Sequence, residues 1–318
     1  MTSTLHAIPR AQAIDTTDGL APPGQPTGCA CLLPGRRRLG GALLGSGALA
    51  AAAALGLVPR PARAQDDECR RSAFTQAASA DQVEQAAGQQ YRQMLQQAQA
   101  QHALVAPDSN QVQRLRYIAQ RIIPLTYACN PRAQQWRWDV NLINTAELNA
   151  FCMPGGKICF YAGILVKLRL DDDEVAMIMG HEVAHALLEH ARERMGKTMV
   201  TRGAIELGAA LFGLGNVGRT AADMGGQLLT LRFSRDDESE ADALGLLLAA
   251  RAGYKPSAGV TLWQKMMSAN KGAPPQWLST HPSGDSRIRD LQARQVRVEP
   301  DYERAAKPDR RFGPPSGA

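Results

Sequence analysis

The sequence predicts a mostly helical α+β domain in which a small antiparallel sheet lies beside one long apolar helix. Three features carry that prediction. Apolar residues recur at helical spacing through much of the chain from Asp81 onward. Two short runs, 150–153 and 157–161, flank a Pro-Gly-Gly turn and read as a hairpin. The acidic run Asp171-Asp172-Asp173-Glu174 opens a helix that is apolar on nearly every side, with its negative charge where the helix dipole favours it.

Taken in order, residues 66–80 read as loosely ordered. From Asp81 to about Leu104, the residues Val83, Ala87, Tyr91, Met94, Leu95 and Ala98 form a helical stripe. A second helix runs from about Asn110 to Ile123 and stops at Pro124, which lacks a backbone donor and crowds the preceding turn. Trp136, Trp138, Val140 and Leu142 alternate with polar residues, the period of a strand. The helix opened by the acidic run extends to about Met195. Residues 196–233 are apolar, but glycines and Arg202, Glu206, Arg219 and Asp223 interrupt them. Helical pieces that form a lid over a cleft fit this better than a membrane span. Ser234 caps a helix from Arg235 to about Arg251, with Asp237 in the capping box and Gly253 closing it. A further helix covers 256–270. The tail after about Val298 is rich in Pro, Arg and Gly and reads as disordered.

Hydrophobic residues make up 44% and charged residues 21% of the 318, the balance of a chain that buries a sizeable core. The net charge of +6 is concentrated early: six Arg against two Asp in residues 1–64 supply +4 of it. The rest has no long basic run and no basic patch interleaved with aromatics, which excludes a nucleic-acid partner. Arg36-Arg37-Arg38 precedes a charge-free stretch, 39–58, and Ala62-Arg63-Ala64 offers a small-x-small cleavage site before Gln65. Residues 1–64 therefore read as a twin-arginine-like signal peptide leading to the periplasm. The alternative is an inner-membrane anchor through residues 39–58. Residues 65–80 would follow as a flexible segment.

Four cysteines lie beyond residue 64: Cys69, Cys129, Cys152 and Cys159. In an oxidising compartment they allow two disulfides in three pairings. Cys152 and Cys159 flank the turn and would lie opposite one another in a two-residue hairpin. The alternative is four small buried thiols.

His181-Glu182-Val183-Ala184-His185 stands in the middle of the long helix and matches H-E-x-x-H. Both imidazoles and Glu182 fall within an arc of about 100°. The two rings can grip one ion while Glu182 reaches a metal-bound water. A buried helix does not carry three polar side chains on one arc without compensation. Zinc takes a third protein ligand and keeps one position open. No histidine downstream has the spacing of a three-histidine site. Glu238 would supply the ligand instead. Asp242, four residues on and on the same face, would accept a hydrogen bond from the second nitrogen of a ligand histidine. Glu240 points away and reads as a solvated acid. His190 falls on the opposite face from His181 and reads as packed or outer-sphere. Two imidazoles and a carboxylate suit one Zn2+ per chain.

Four segments then occur in a family's order: Asn149-Ala150-Phe151-Cys152-Met153-Pro154-Gly155-Gly156, the H-E-x-x-H run, Ser234-Arg235 with Glu238 and Asp242, and His281-Pro282 with Arg287-Ile288. The sequence resembles the HtpX-, BepA- and LoiP-like zinc endopeptidases, relatives of the CAAX prenyl protease, from about Gln82 to Leu291. The resemblance implies a zincin-like metalloprotease domain, set at 81–298, and the composition leaves 299–318 as a disordered tail. It implies His181, His185 and Glu238 as metal ligands, Glu182 as catalytic base, and a strand edge near the metal at 149–153. The chain departs from polytopic members in lacking further spans, which places it with a soluble periplasmic branch.

The expected chemistry is peptide hydrolysis with Glu182 as general base for a metal-activated water. His281, in a loop beside Pro282, is the candidate donor to the oxyanion. Arg287 either anchors this loop through a carboxylate or is solvated. Asn149, Ala150 and Phe151 would pair with an extended polypeptide by strand addition. Unfolded or misfolded envelope proteins are the expected substrates, with peripheral association to outer-membrane or envelope assembly proteins. The competing function is a chaperone-like assembly factor with a latched, rarely active site.

Overall fold

The computed structural model describes residues 68–211, 231–269, 276–281 and 285–315, all within one unit, Pro59–Ala318. The expected signal peptide with its cleavage site lies outside the described residues, as do residues 212–230 of the expected lid. No described helix is long and apolar enough to cross a membrane.

Helix α1 (Ala80–Ala100) starts where the Ser79 side chain accepts from Gln82 N–H, and it buries Val83, Ala87, Tyr91 and Ala98. Helix α2 (Asn110–Thr126) runs through Pro124 and ends two residues later. Proline in a last turn removes one hydrogen bond without breaking the helix. The sheet contains β1 (Asp139–Ile143), β2 (Ala150–Met153) and β3 (Lys157–Tyr161) in the order β1-β3-β2. It is mixed rather than antiparallel throughout, because β1 runs parallel to β3. One face packs Ala150, Cys152, Ile158 and Phe160 into the main core. The other turns Met153 and Cys159 to Ala87 and Tyr91 of α1.

The hairpin corrects the Cys152–Cys159 pairing. Met153 stands opposite Lys157, so the turn has three residues, and Cys152 faces Ile158 while Phe151 faces Cys159. Partners one register step apart point to opposite faces of a sheet. Both thiols are free and buried. The disulfide joins Cys69 to Cys129, 60 residues apart. It ties down an N-terminal segment that the sequence reads as flexible. There Ala73–Ala77 forms a 3-10 turn capped by Ser72, and Arg192 donates to Ala78 O at 2.7 Å. A crosslink over a loop of that length is worth about 2–4 kcal/mol. Replacing both cysteines by alanine is expected to lower the urea unfolding free energy by that amount. An unchanged midpoint would show that the crosslink constrains nothing.

After α3 (Ala162–Lys167), helix α4 (Asp172–Leu187) opens with a complete capping box between Asp171 and Glu174. It is buried on every side, which explains its lack of a polar face. It does not continue to Met195. Leu188 caps it, Glu189 takes a left-handed φ of 59°, and α5 (His190–Leu211) starts in a new direction. Helix α6 (Arg235–Arg251) has the expected Ser234–Asp237 capping box. Helices α7 (Ala258–Ala269), α8 (Gln276–Thr280) and α9 (Asp285–Arg304) follow.

The C-terminal tail is also corrected. Helix α9 continues through Pro300 to Arg304. Beyond it, Phe312 N–H and Gly313 N–H donate to the Asp172 carboxylate at 2.7 and 3.2 Å. Arg114 clamps the same carboxylate at 2.6 Å. A carboxylate buried at the start of α4 thus fastens a segment that composition alone reads as unstructured.

Candidate metal centre

Helices α4 and α6 approach closely enough to share one site because glycine faces glycine between them. A Cβ on Gly180 would stand 2.5 Å from Gly245 O, and one on Gly245 would stand 2.6 Å from His181 N. No side chain fits there, so the two backbones touch beside the H-E-x-x-H run.

That contact brings His181, Glu182 and His185 of α4 against Glu238 and Asp242 of α6, all buried. The Nε2 atoms of His181 and His185 lie 3.0 Å apart. Glu238 Oε2 is 3.5 Å from His181 Nε2, and Glu238 Oε1 is 3.4 Å from His185 Nε2. Donors on a tetrahedral ion, each about 2.0–2.2 Å from it, stand roughly 3.4 Å from one another. The donor set therefore fits a zinc-sized ion without rearrangement. His281, just past α8, adds a fourth donor: its Nδ1 is 2.9 Å from Glu238 Oε1 and 3.3 Å from His181 Nε2.

The surroundings hold these donors in place. Asp242 Oδ1 lies 3.0 Å from His181 Nδ1, the outer partner expected for it. Arg287 donates to both Asp242 oxygens at 2.5 and 2.7 Å and to Glu238 Oε2 at 2.5 Å. Its guanidinium lies 3.8 Å over the Trp263 ring. Of the two readings of Arg287, the structure selects the anchor. Burial by itself would raise the Glu238 pKa; His281 and the hydrogen bonds from His185 and His281 outweigh it and hold the carboxyl well below its ordinary range. Burial dominates at His185 and holds its pKa well below the usual value, which favours the neutral imidazole that metals require.

His190 is the outer-sphere histidine that was one of its two readings, though not by the face that helix periodicity gave it, and Trp277 escaped the sequence. Past the break at Glu189, His190 swings back so that its Nδ1 lies 2.8 Å from His185 Nδ1. Its Nε2 is 3.2 Å from Glu240 Oε2. The half-exposed Glu240 is thus engaged rather than simply solvated. Trp277 of α8 donates its indole N–H to Glu182 Oε1 at 2.8 Å. No motif marks either residue. The one available signal was the spacing of Trp277 and His281, one helical turn apart. His102 lies at the end of α1 with a left-handed φ of 56°, away from this cluster.

A cleft beside the donors is lined by Asn149, Ala150, Phe151, Glu182, His185 and His281. Strand β2 lies at the sheet edge. Phe233 stacks on the His185 ring, centroids 4.0 Å apart.

The mostly helical fold with its small sheet, and the buried histidine and glutamate donors beside the Glu182 carboxylate, are those of a metallopeptidase domain. The profile of peptidase family M48 matches residues 109–295, over half the chain, and the chain belongs to that family. It is 39% identical over 154 residues to the mitochondrial metalloendopeptidase OMA1 of Arabidopsis thaliana, covering 48% of this chain and 31% of that protein. It is 35% identical over 159 residues to the protein of the same name from Schizosaccharomyces pombe, covering 49% and 46%. Against the beta-barrel assembly-enhancing protease of Escherichia coli the identity is 28% over 169 residues, covering 50% and 34%. The matches thus span less than half the length of these relatives. They also correct the periplasmic location expected from the N-terminus. Relatives at 39% and 35% identity are named mitochondrial, so membership of this family assigns no such compartment.

Proposed function

We propose that this chain is a zinc-dependent endopeptidase that hydrolyses unfolded or misfolded polypeptides, with His181, His185 and Glu238 as metal ligands. The spacing of 3.0–3.5 Å among donor atoms of those three residues carries the proposal. A bound zinc would acidify a coordinated water and polarise the scissile carbonyl. Glu182 takes the proton of the attacking water and delivers it to the leaving amine. Asp242 fixes the tautomer and orientation of His181. Asn149, Ala150 and Phe151 lie at the start of β2, the outer strand of the described sheet, on which an extended polypeptide adds as a further strand. That mode reads an unfolded backbone rather than a sequence.

The Escherichia coli relative is named for β-barrel assembly. Unassembled β-barrel proteins, the envelope class of the sequence-based expectation, are therefore the substrates to compare with casein. Peripheral association with assembly proteins rests on that name alone. The chaperone-like alternative is not favoured, because it leaves Glu182 without a task. The test is casein cleavage by the purified chain, abolished by 1,10-phenanthroline and restored by zinc. Cleavage that survives complete zinc removal would contradict it.

His281 is the proposed oxyanion donor. Burial by itself would lower its pKa; the Glu182 and Glu238 carboxylates outweigh that and raise it. His281→Ala is expected to lower kcat by about 10²-fold with little change in KM. A rise in activity would show instead that His281 occupies the fourth position and holds the site shut.

A further inference from the structure

The geometry points to Trp277 as the positioning residue for Glu182, the member of the site that aims the general base. The inference rests on the peptidase reading above. Trp277 is 1% exposed, and its indole N–H donates to Glu182 Oε1 at 2.8 Å. Among the described residues it is the one side chain within hydrogen-bond distance of that carboxylate; His281 Nε2 stands at 3.6 Å. A carboxylate on a flexible stem samples many orientations. A single N–H to one oxygen fixes its plane and leaves the other oxygen for the proton.

Trp277 is itself held from three sides. Its backbone N–H donates to Leu148 O at 3.1 Å, immediately before the strand that forms the cleft edge. Its ring packs on Trp263 with centroids 5.0 Å apart and lies nearly parallel over His281 at 4.9 Å and 27°. One residue thus connects the cleft edge, through its backbone, with the base and the proposed oxyanion donor, through its side chain. Tryptophan suits this place because it combines a large apolar body with one donor that faces no competing acceptor role. Phenylalanine would keep the stacking and lose the donor.

The test uses the zinc-loaded full chain and Trp277→Phe. The expected result is a fall in kcat of about 10–100-fold, with KM within about twofold and zinc content unchanged. Activity within about twofold of wild type overturns the assignment, and so does a raised KM at constant kcat, which would make Trp277 a substrate contact. A second measurement does not depend on peptidase activity. The indole N–H resonance of Trp277, identified by its loss in Trp277→Phe, is expected to move upfield in Glu182→Ala. A resonance that does not move overturns the hydrogen bond itself. If the wild type cleaves nothing while the resonance moves, the peptidase reading fails and the contact stands. Should Trp277→Phe not fold, benzothienylalanine at position 277 removes the N–H at constant ring shape, with the same expected loss of kcat.

Discussion

Glu182→Gln lowers kcat by about 10²–10⁴-fold while zinc stays bound and the chain stays folded. That range is what a positioned general base contributes. The substitution keeps the volume of the side chain and an oxygen that accepts from Trp277, so the packing around the indole survives. It removes the basicity, so the attacking water keeps its proton. Glu182 is 2% exposed, and solvent cannot substitute for it at the buried centre. Casein hydrolysis and zinc content measured on the same samples decide the matter. Retention of more than about a tenth of the activity would move the base elsewhere in the site.

Gly245→Ala is the second large effect, although it touches no proposed ligand side chain. The added methyl would sit 2.6 Å from His181 N and 2.7 Å from His181 Cα. These are backbone atoms of a buried helix, so they yield only if α4 and α6 separate. Two of the three proposed ligands ride on α4 and the third on α6, so separation opens the donor set. The expected cost is about 1–3 kcal/mol of stability, together with a loss of zinc affinity of about tenfold or more. Gly88→Ala in α1 is the control. Its methyl meets only the end of Arg92 at 3.5 Å, and helix propensity favours alanine there by about 1 kcal/mol. If Gly245→Ala is as mild as Gly88→Ala in urea unfolding, the close approach of α4 and α6 does not set the donor spacing.

The grouping of the candidate donors was legible where it is local. His181, Glu182 and His185 fall on one arc of one helix, and Glu238 with Asp242 on one face of another. Periodicity alone delivers each set. The capping residues of α4 and α6 and the hairpin β2–β3 are local in the same sense. What stayed hidden depends on a single residue's conformation or on contacts between distant segments. The left-handed Glu189 ends α4 early, and a periodic reading has no means of placing His190 beside His185 once the register is broken there. The parallel pairing of β1 with β3 and the Cys69–Cys129 crosslink both join segments far apart in sequence. The tail that composition reads as disordered is held by its own backbone N–H groups on Asp172, which composition does not count. Trp277 lies in none of the segments that the sequence reading singled out. Its place beside Glu182 comes from the packing of α8 against α4.

The central claim is that His181, His185 and Glu238 hold one zinc ion beside Glu182. X-ray absorption at the zinc edge, with metal content determined on the same sample, tests it most directly. The account predicts about one zinc per chain in a shell of nitrogen and oxygen at about 2.0–2.1 Å, with the stoichiometric binding lost in His185→Ala. Sulfur in the shell at about 2.3 Å, or full zinc binding by His185→Ala, would contradict it.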